Sequence, residues 1–171
     1  MKLTIEKETE ADFQGIYSLV RIAFQSAKDA DGDEHDYVNR LRESNNYIPE
    51  LALVTRDGAK IIGQIILTRM YIHGKEVEFE ALLLSPVCVL MEYRNNGIGS
   101  KLIIHSLELA KSMGYKAVFL VGEPDYYSRF GFRTIEHFKI RDTGNIPVQY
   151  TMALELEAGY LNIAGGVISI C

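Results

Sequence analysis

The run Val87 to Ser100, V-C-V-L-M-E-Y-R-N-N-G-I-G-S, holds the residue types that could grip a phosphate. An apolar segment ends at Leu90, a turn signal follows at Asn95-Asn96-Gly97, and apolar residues then recur at Ile98, Leu102, Leu109 and Met113, before a stop at Gly114. This is a strand feeding a glycine-bearing turn that opens directly onto an amphipathic helix. Amides at a helix start have no acceptor one turn back, and the helix dipole favours negative charge there. Glycine lets the main chain approach a phosphate closely, and Arg94 can add a charge-assisted bond. The segment 94–100 therefore reads as a phosphate or pyrophosphate site, or else as a tight turn with no ligand; these features alone leave both open. A P-loop is excluded, because no Gly-Lys-Ser/Thr closes the turn. The dinucleotide spacing is incomplete, since Gly97 and Gly99 are followed by Leu at 102.

Other residues could carry proton transfer or covalent chemistry. Alternation places Glu76, Glu78 and Glu80 on one strand face and Val77, Phe79 and Ala81 on the other, which by itself describes a solvated face. Tyr126 and Tyr127 sit in a short helical segment, where packing onto a sheet is the plain reading. Cys88 lies in the apolar run with no histidine close in sequence, so it reads as an inert small hydrophobe and not a nucleophile. His35, His73, His105 and His137 are scattered, and no Cys/His spacing fits a metal. Asp29, Asp31, Asp33, Glu34 and Asp36 crowd into one stretch. That stretch is either a hydrated loop or an acidic lip that attracts a cationic amine.

The elements that must position these residues follow from periodicity. Leu3 to Ile5 is a short strand, and Thr9-Glu-Ala-Asp12 resembles a capping box. Phe13, Ile16, Tyr17, Val20 and Phe24 then fall at helical spacing. A polar stretch from Ser26 to Glu34 precedes a second helix over His35 to Glu43. Leu51 to Thr55, Ile61 to Tyr71 and Val77 to Leu90 form an antiparallel meander with turns at Asp57-Gly58 and His73-Gly74. The helix over 97–113 leads to a strand at Ala117 to Val121, a short helix at Pro124 to Phe130 and a late strand at Val148 to Leu156. The apolar Ala164 to Cys171 adds a final strand or joins a homodimer contact. Meander plus strand-helix-strand crossover gives an α/β, mixed α+β, fold.

Composition narrows the function classes. At 171 residues, with no linker or repeat, a single domain over 1–171 is expected. Eighteen Lys+Arg against 23 Asp+Glu give a net charge of −5, which argues against a nucleic-acid partner. Cys88 and Cys171 cannot build a disulfide framework. The N-terminus lacks an apolar core of signal-peptide type, and no apolar run reaches the roughly 18 residues that cross a bilayer, so a cytoplasmic protein without a membrane partner is expected.

The run P-V-C-V-L-M-E-Y-R-N-N-G-I-G-S resembles the acyl-CoA signature of the GNAT superfamily of N-acetyltransferases, whose Arg/Gln-x-x-Gly-x-Gly/Ala core is matched by Arg94, Gly97 and Gly99. Downstream, Y-Y-S-R-F-G-F over Tyr126 to Phe132 is similar to the family's Tyr-x-x-x-Gly-Phe element. One helix and one strand separate the two motifs, as in the family, and the resemblance runs from residue 3 to about 156. It implies the GNAT acyl-CoA N-acyltransferase fold, with a mostly antiparallel sheet of about six to seven strands and about four helices. It implies acetyl-CoA as acyl donor and no metal.

Residue by residue, it implies that main-chain amides of Arg94, Asn95, Asn96, Gly97, Ile98, Gly99 and Ser100 hold the pyrophosphate. Val87, Cys88 and Val89 would pair with the pantetheine arm as an added strand would. Pro86 agrees, because proline inside a strand marks an edge or bulge, and in the family this strand splays from the fifth. Tyr127 would protonate the leaving thiolate, while Glu80, or else Glu123, would take the proton of a primary amine on a small molecule or peptide. The expected chemistry is direct attack in a ternary complex. The alternatives are an acyl-CoA sensor with little turnover and a transferase for another acyl-CoA.

Overall fold

The computed structural model describes residues 3–25 and 32–170. Asp29, Asp31 and most of the polar stretch after Ser26, like Cys171, lie outside the described residues. Two compact units are formed, one from residues 1–68 and 85–109, the other from 69–84 and 110–171. Among the described residues there are nine strands and four α-helices. The sheet is mostly antiparallel, and the class is the mixed α/β expected.

In the first unit, β1 (Leu3–Lys7) pairs antiparallel with β2 (Ala52–Asp57), from Leu3 against Asp57 to Lys7 against Leu53. β2 pairs in turn with the start of β3 (Lys60–His73). Their hairpin closes at Gly58, whose φ of +62° is the left-handed conformation that a tight turn between twisted strands requires. The chain enters α1 (Phe13–Phe24) through a 3-10 turn over Glu10–Asp12, where the Asp12 carboxylate accepts from the Thr9 N–H at 2.8 Å. The box-like Thr9–Asp12 signal thus marks a real helix start. α1 buries Ile16, Leu19, Val20 and Ala23.

α2 (Glu34–Glu43) buries only Val38, so apolar packing alone would hold it weakly. Its anchor is polar: Arg42 Nε and Nη2 donate to the two Glu8 carboxylate oxygens at 2.9 and 3.1 Å, and Tyr47 Oη donates to Oε1 at 2.6 Å. Both charged side chains are almost fully buried, at 7% and 1% exposure, and the guanidinium stacks 4.1 Å from the Phe13 ring centroid. A buried carboxylate is tolerable only when it is paired and hydrogen-bonded in this way.

In the second unit, β3 turns at Gly74, whose N–H donates to the Val77 carbonyl at 2.9 Å, into β4 (Glu78–Val89). Glu76 and Val77 therefore belong to the turn and not to the strand face expected from alternation, and Val77 is 61% exposed. β4 pairs parallel with β5 (Ala117–Val121) at Leu82–Val118 and Leu83–Phe119. The crossover between them is α3 (Ile98–Ser112). β5 continues antiparallel to β8 (Thr151–Glu155), which pairs with the two-residue β6 (Arg133–Thr134). The late strand starts at Thr151 and not at Val148, because Pro147 initiates a 3-10 turn over Val148–Tyr150. β7 (Arg141–Asp142) pairs with β9 (Val167–Ile168), which also meets β3 at His73. The apolar C-terminal stretch so completes the sheet of its own unit, with Ile168 and Ile170 in a core shared with Ile72, Phe119, Ile135, Ile140 and Leu161.

Candidate active site

The strand-to-helix segment is built from local bonds in the first unit. After β4 a 3-10 turn over Met91–Tyr93 swings the chain toward α3. Asn95 and Gly97 take φ of +64° and +75°, reversing the backbone twice within three residues. Asparagine and glycine are the residues that accept this conformation at least cost. The Asn96 side-chain amide donates to the carbonyls of Tyr93 and Arg94, both at 3.1 Å, and the Tyr93 hydroxyl donates to Asp57 Oδ2 at 2.9 Å. The first rung of α3 runs from Lys101 N–H to the Gly97 carbonyl at 3.0 Å. The amides of Ile98 and Gly99 therefore precede the helical ladder, at its positive end. A side-chain carbon at Gly97 would meet no protein atom within 4 Å, so the turn presents bare backbone to open space.

Arg94 does more than the sequence suggests. Its Nε donates to the Val89 carbonyl at 3.1 Å and its Nη2 to the Ala23 carbonyl at 3.0 Å, tying the turn to the end of β4 and to α1. Val87 is half-buried, and Cys88 and Val89 are buried. Burial pushes the Cys88 thiol up to about 12, against a smaller opposing effect of the Arg94 cation, so the reactive thiolate is not formed at neutral pH. The Tyr37 hydroxyl of α2 hydrogen-bonds with Ser85, next to Pro86, and burial raises its pKa above the ordinary phenol value.

In the second unit, α4 (Pro124–Tyr127) starts with Pro124 at its first position and passes into a 3-10 turn over Ser128–Phe130, which Gly131 ends at φ +95°. Glu123 is the residue before the helix, its carbonyl accepting from the Tyr126 and Tyr127 amides at 3.1 Å each. The Tyr127 ring stands edge-on to Tyr126 at 4.9 Å and to Phe132 at 6.1 Å, with Phe130 at 6.4 Å. Burial, with a minor effect from Tyr126, pushes its phenol up to about 12. Glu80, near the start of β4, is half-exposed and stands 3.8 Å from the Arg69 guanidinium, while its carbonyl accepts from the Tyr160 hydroxyl at 2.7 Å. Of the acidic stretch, Asp33 pairs with Arg40 at 3.2 Å and Asp36 accepts from the Tyr17 hydroxyl at 3.2 Å. Three of the four histidines have neighbours: His35 beside Asp36, His73 beside Glu78 and His137 beside Arg133. No cluster of three or more His, Cys, Asp or Glu able to hold a metal occurs among the described residues.

The strand-turn-helix with its bare glycine, and the tyrosine helix that follows β5, lie within a stretch that a family model matches. The model described as "Acetyltransferase (GNAT) domain" covers residues 4–135. The chain belongs to the GNAT acetyltransferases. It is 29% identical over 139 residues to the uncharacterized N-acetyltransferase YhbS of Escherichia coli (strain K12), covering 81% of this chain and 78% of that protein. It is 32% identical over 123 residues to YjhQ of the same organism, another uncharacterized N-acetyltransferase, covering 72% of this chain and 65% of that one. The crystal structure of E. coli YhbS in complex with CoA superposes with a TM-score of 0.85 at 26% identity, over 100% of this chain and 91% of that chain. A GNAT family acetyltransferase from Brucella melitensis in complex with acetyl-CoA gives 0.74 at 26% identity, over 90% and 88%. This GNAT chain is thus an acyltransferase of mixed α/β fold, and no helix among its described residues is long and apolar enough to cross a membrane.

Proposed function

We propose that this GNAT enzyme, through a single domain over 1–171, moves the acetyl group of acetyl-CoA to a primary amine in a ternary complex. The observation that carries the reading is the turn at Asn95–Gly97, where two left-handed residues and an open Gly97 present the amides of Ile98 and Gly99 at a helix start. Such a cradle suits the pyrophosphate of the donor. In this reading Arg94 shapes the turn through its carbonyl bonds, and Asn95, Asn96 and Ser100 complete the loop. The backbone of Val87, Cys88 and Val89 pairs with the pantetheine arm and polarises the thioester carbonyl.

The amine nitrogen attacks the thioester carbon, the carbon–sulfur bond breaks, and the sulfur takes a proton from the Tyr127 hydroxyl. The proton lost by the amine passes to Glu80, directly or through water. Cys88 forms no acyl intermediate. The acceptor is a small molecule or a peptide bearing a free amine. A buried thiol and a chain with only two cysteines favour a reducing, cytoplasmic setting.

Calorimetric titration with acetyl-CoA tests the reading, with desulfo-CoA and ATP as controls. Saturable binding of acetyl-CoA and not of ATP is expected. Absence of binding by every CoA species would remove the site assignment and the enzymatic reading together.

A further inference from the structure

The residue after β5 is a glycine whose requirement comes from a neighbouring ring and not from its own backbone. Gly122 is not among the glycines in the left-handed conformation, unlike Gly97 or Gly131, so a positive φ is not what its position requires. Its N–H donates to the Tyr150 carbonyl at 2.9 Å, which continues the pairing of β5 with β8. A side-chain carbon placed on it would overlap Cε2 of the Tyr127 ring and stand 2.8 Å from Cδ2 and 3.3 Å from Cζ. The Cδ2–Cε2 side of that ring therefore lies against the bare Cα of residue 122, while the rings of Tyr126, Phe130 and Phe132 also pack around it.

We propose that Gly122 is a positioning residue for the transfer reaction: its missing side chain is the floor of the slot that sets where the Tyr127 hydroxyl stands. This rests on the reading of Tyr127 as the acid of the leaving thiolate. A ring is rigid beyond its two side-chain torsions, so a methyl group beneath it cannot be absorbed by a flexible tip. The ring must tilt or α4 must move, and either displaces the hydroxyl. A displacement of about 1 Å in a proton donor is enough to lower turnover by about 100-fold. Burial of the phenol in the same slot explains why its pKa lies above the ordinary value.

The test is a pair of double-mutant cycles on the full chain. Gly122→Ala should lower Tm by roughly 3 to 10 °C when Tyr127 is present, as overpacking does, and by little when combined with Tyr127→Ala, which vacates the slot. The double variant guards against a single variant that fails to fold. Turnover is followed as free-thiol release from acetyl-CoA with n-butylamine as acceptor. Gly122→Ala should lower kcat by the same factor as Tyr127→Phe, leave KM for acetyl-CoA unchanged, and add no further loss in the Gly122→Ala/Tyr127→Phe protein. Stability effects that simply add, or kcat losses that multiply in the double variant, would overturn the positioning role. Unaltered turnover in Tyr127→Phe would instead overturn the acid reading, and failure of the parent protein to bind any CoA species would overturn the enzyme reading. The stability cycle identifies that outcome separately, because it needs no substrate.

Discussion

Two protic side chains of this protein, Cys88 and Tyr127, are both pushed by burial to about 12. The same shift has opposite chemical meanings for them. A thiol must ionise to attack, so desolvation disarms Cys88. In its proposed role Tyr127 is a general acid, which must stay protonated until the transition state, and desolvation would keep it loaded over the whole physiological range. Because its pKa is raised on folding, the neutral phenol stabilises the fold fully below the unfolded value of about 10. That contribution is lost as pH climbs through the folded value of about 12. The pH profile of kcat should therefore show no falling limb from Tyr127 below about pH 10. Tyr127→Phe should lower kcat by about 100-fold while acetyl-CoA affinity, measured by titration, stays near that of the parent protein. A Tyr127→Phe protein with undiminished kcat would pass the acid role to water or another group.

At the level of elements, the turn between β4 and α3 is held from three directions: Asn96 on the carbonyls of Tyr93 and Arg94, Tyr93 on Asp57, and Arg94 on Val89 and Ala23. The order of strand, glycine turn and helix was readable locally, since period and turn chemistry are properties of neighbours in sequence. The Arg94 anchor was not, because Ala23 lies 71 residues away. The turn geometry makes a graded prediction at Gly97. Asparagine tolerates positive φ, as Asn95 does two residues earlier, whereas a β-branched residue does not. Gly97→Val should abolish measurable acetyl-CoA binding, and Gly97→Asn should retain part of it. Equal affinities for the two variants, read by calorimetry, would mean that backbone shape at 97 is irrelevant to the ligand.

For the molecule as a whole, binding and stability are linked. A ligand that occupies one site of the folded state only, at about 100 times its Kd, adds about 2.7 kcal/mol. For a chain of this size that is a rise in Tm of roughly 5 to 10 °C. Thermal unfolding with acetyl-CoA should show this rise for the parent protein and not for Gly97→Val. An equal rise in both would place the ligand elsewhere.

The sequence by itself determined the class of fold, the order of the main elements, the family and the strand-turn-helix form of the segment 94–100. Each of these is written in short-range pattern: strand alternation, helical spacing, a capping residue, glycine where the chain must reverse, and two motifs at fixed separation. It also decided that acetyl transfer is the chemistry to test, through Arg94, Gly97, Gly99 and Tyr127. The tertiary structure decided what depends on chain closure. It joined Arg42 and Tyr47 to Glu8 across 34 and 39 residues, where one buried carboxylate had to be satisfied by groups from two other segments. It turned the apolar C-terminal stretch into β9, because Val167 and Ile168 find open strand edges at His73 and at Arg141–Asp142. And it gave Gly122 a reason, since no sequence pattern states that an aromatic ring five residues on will come to rest against a missing side chain.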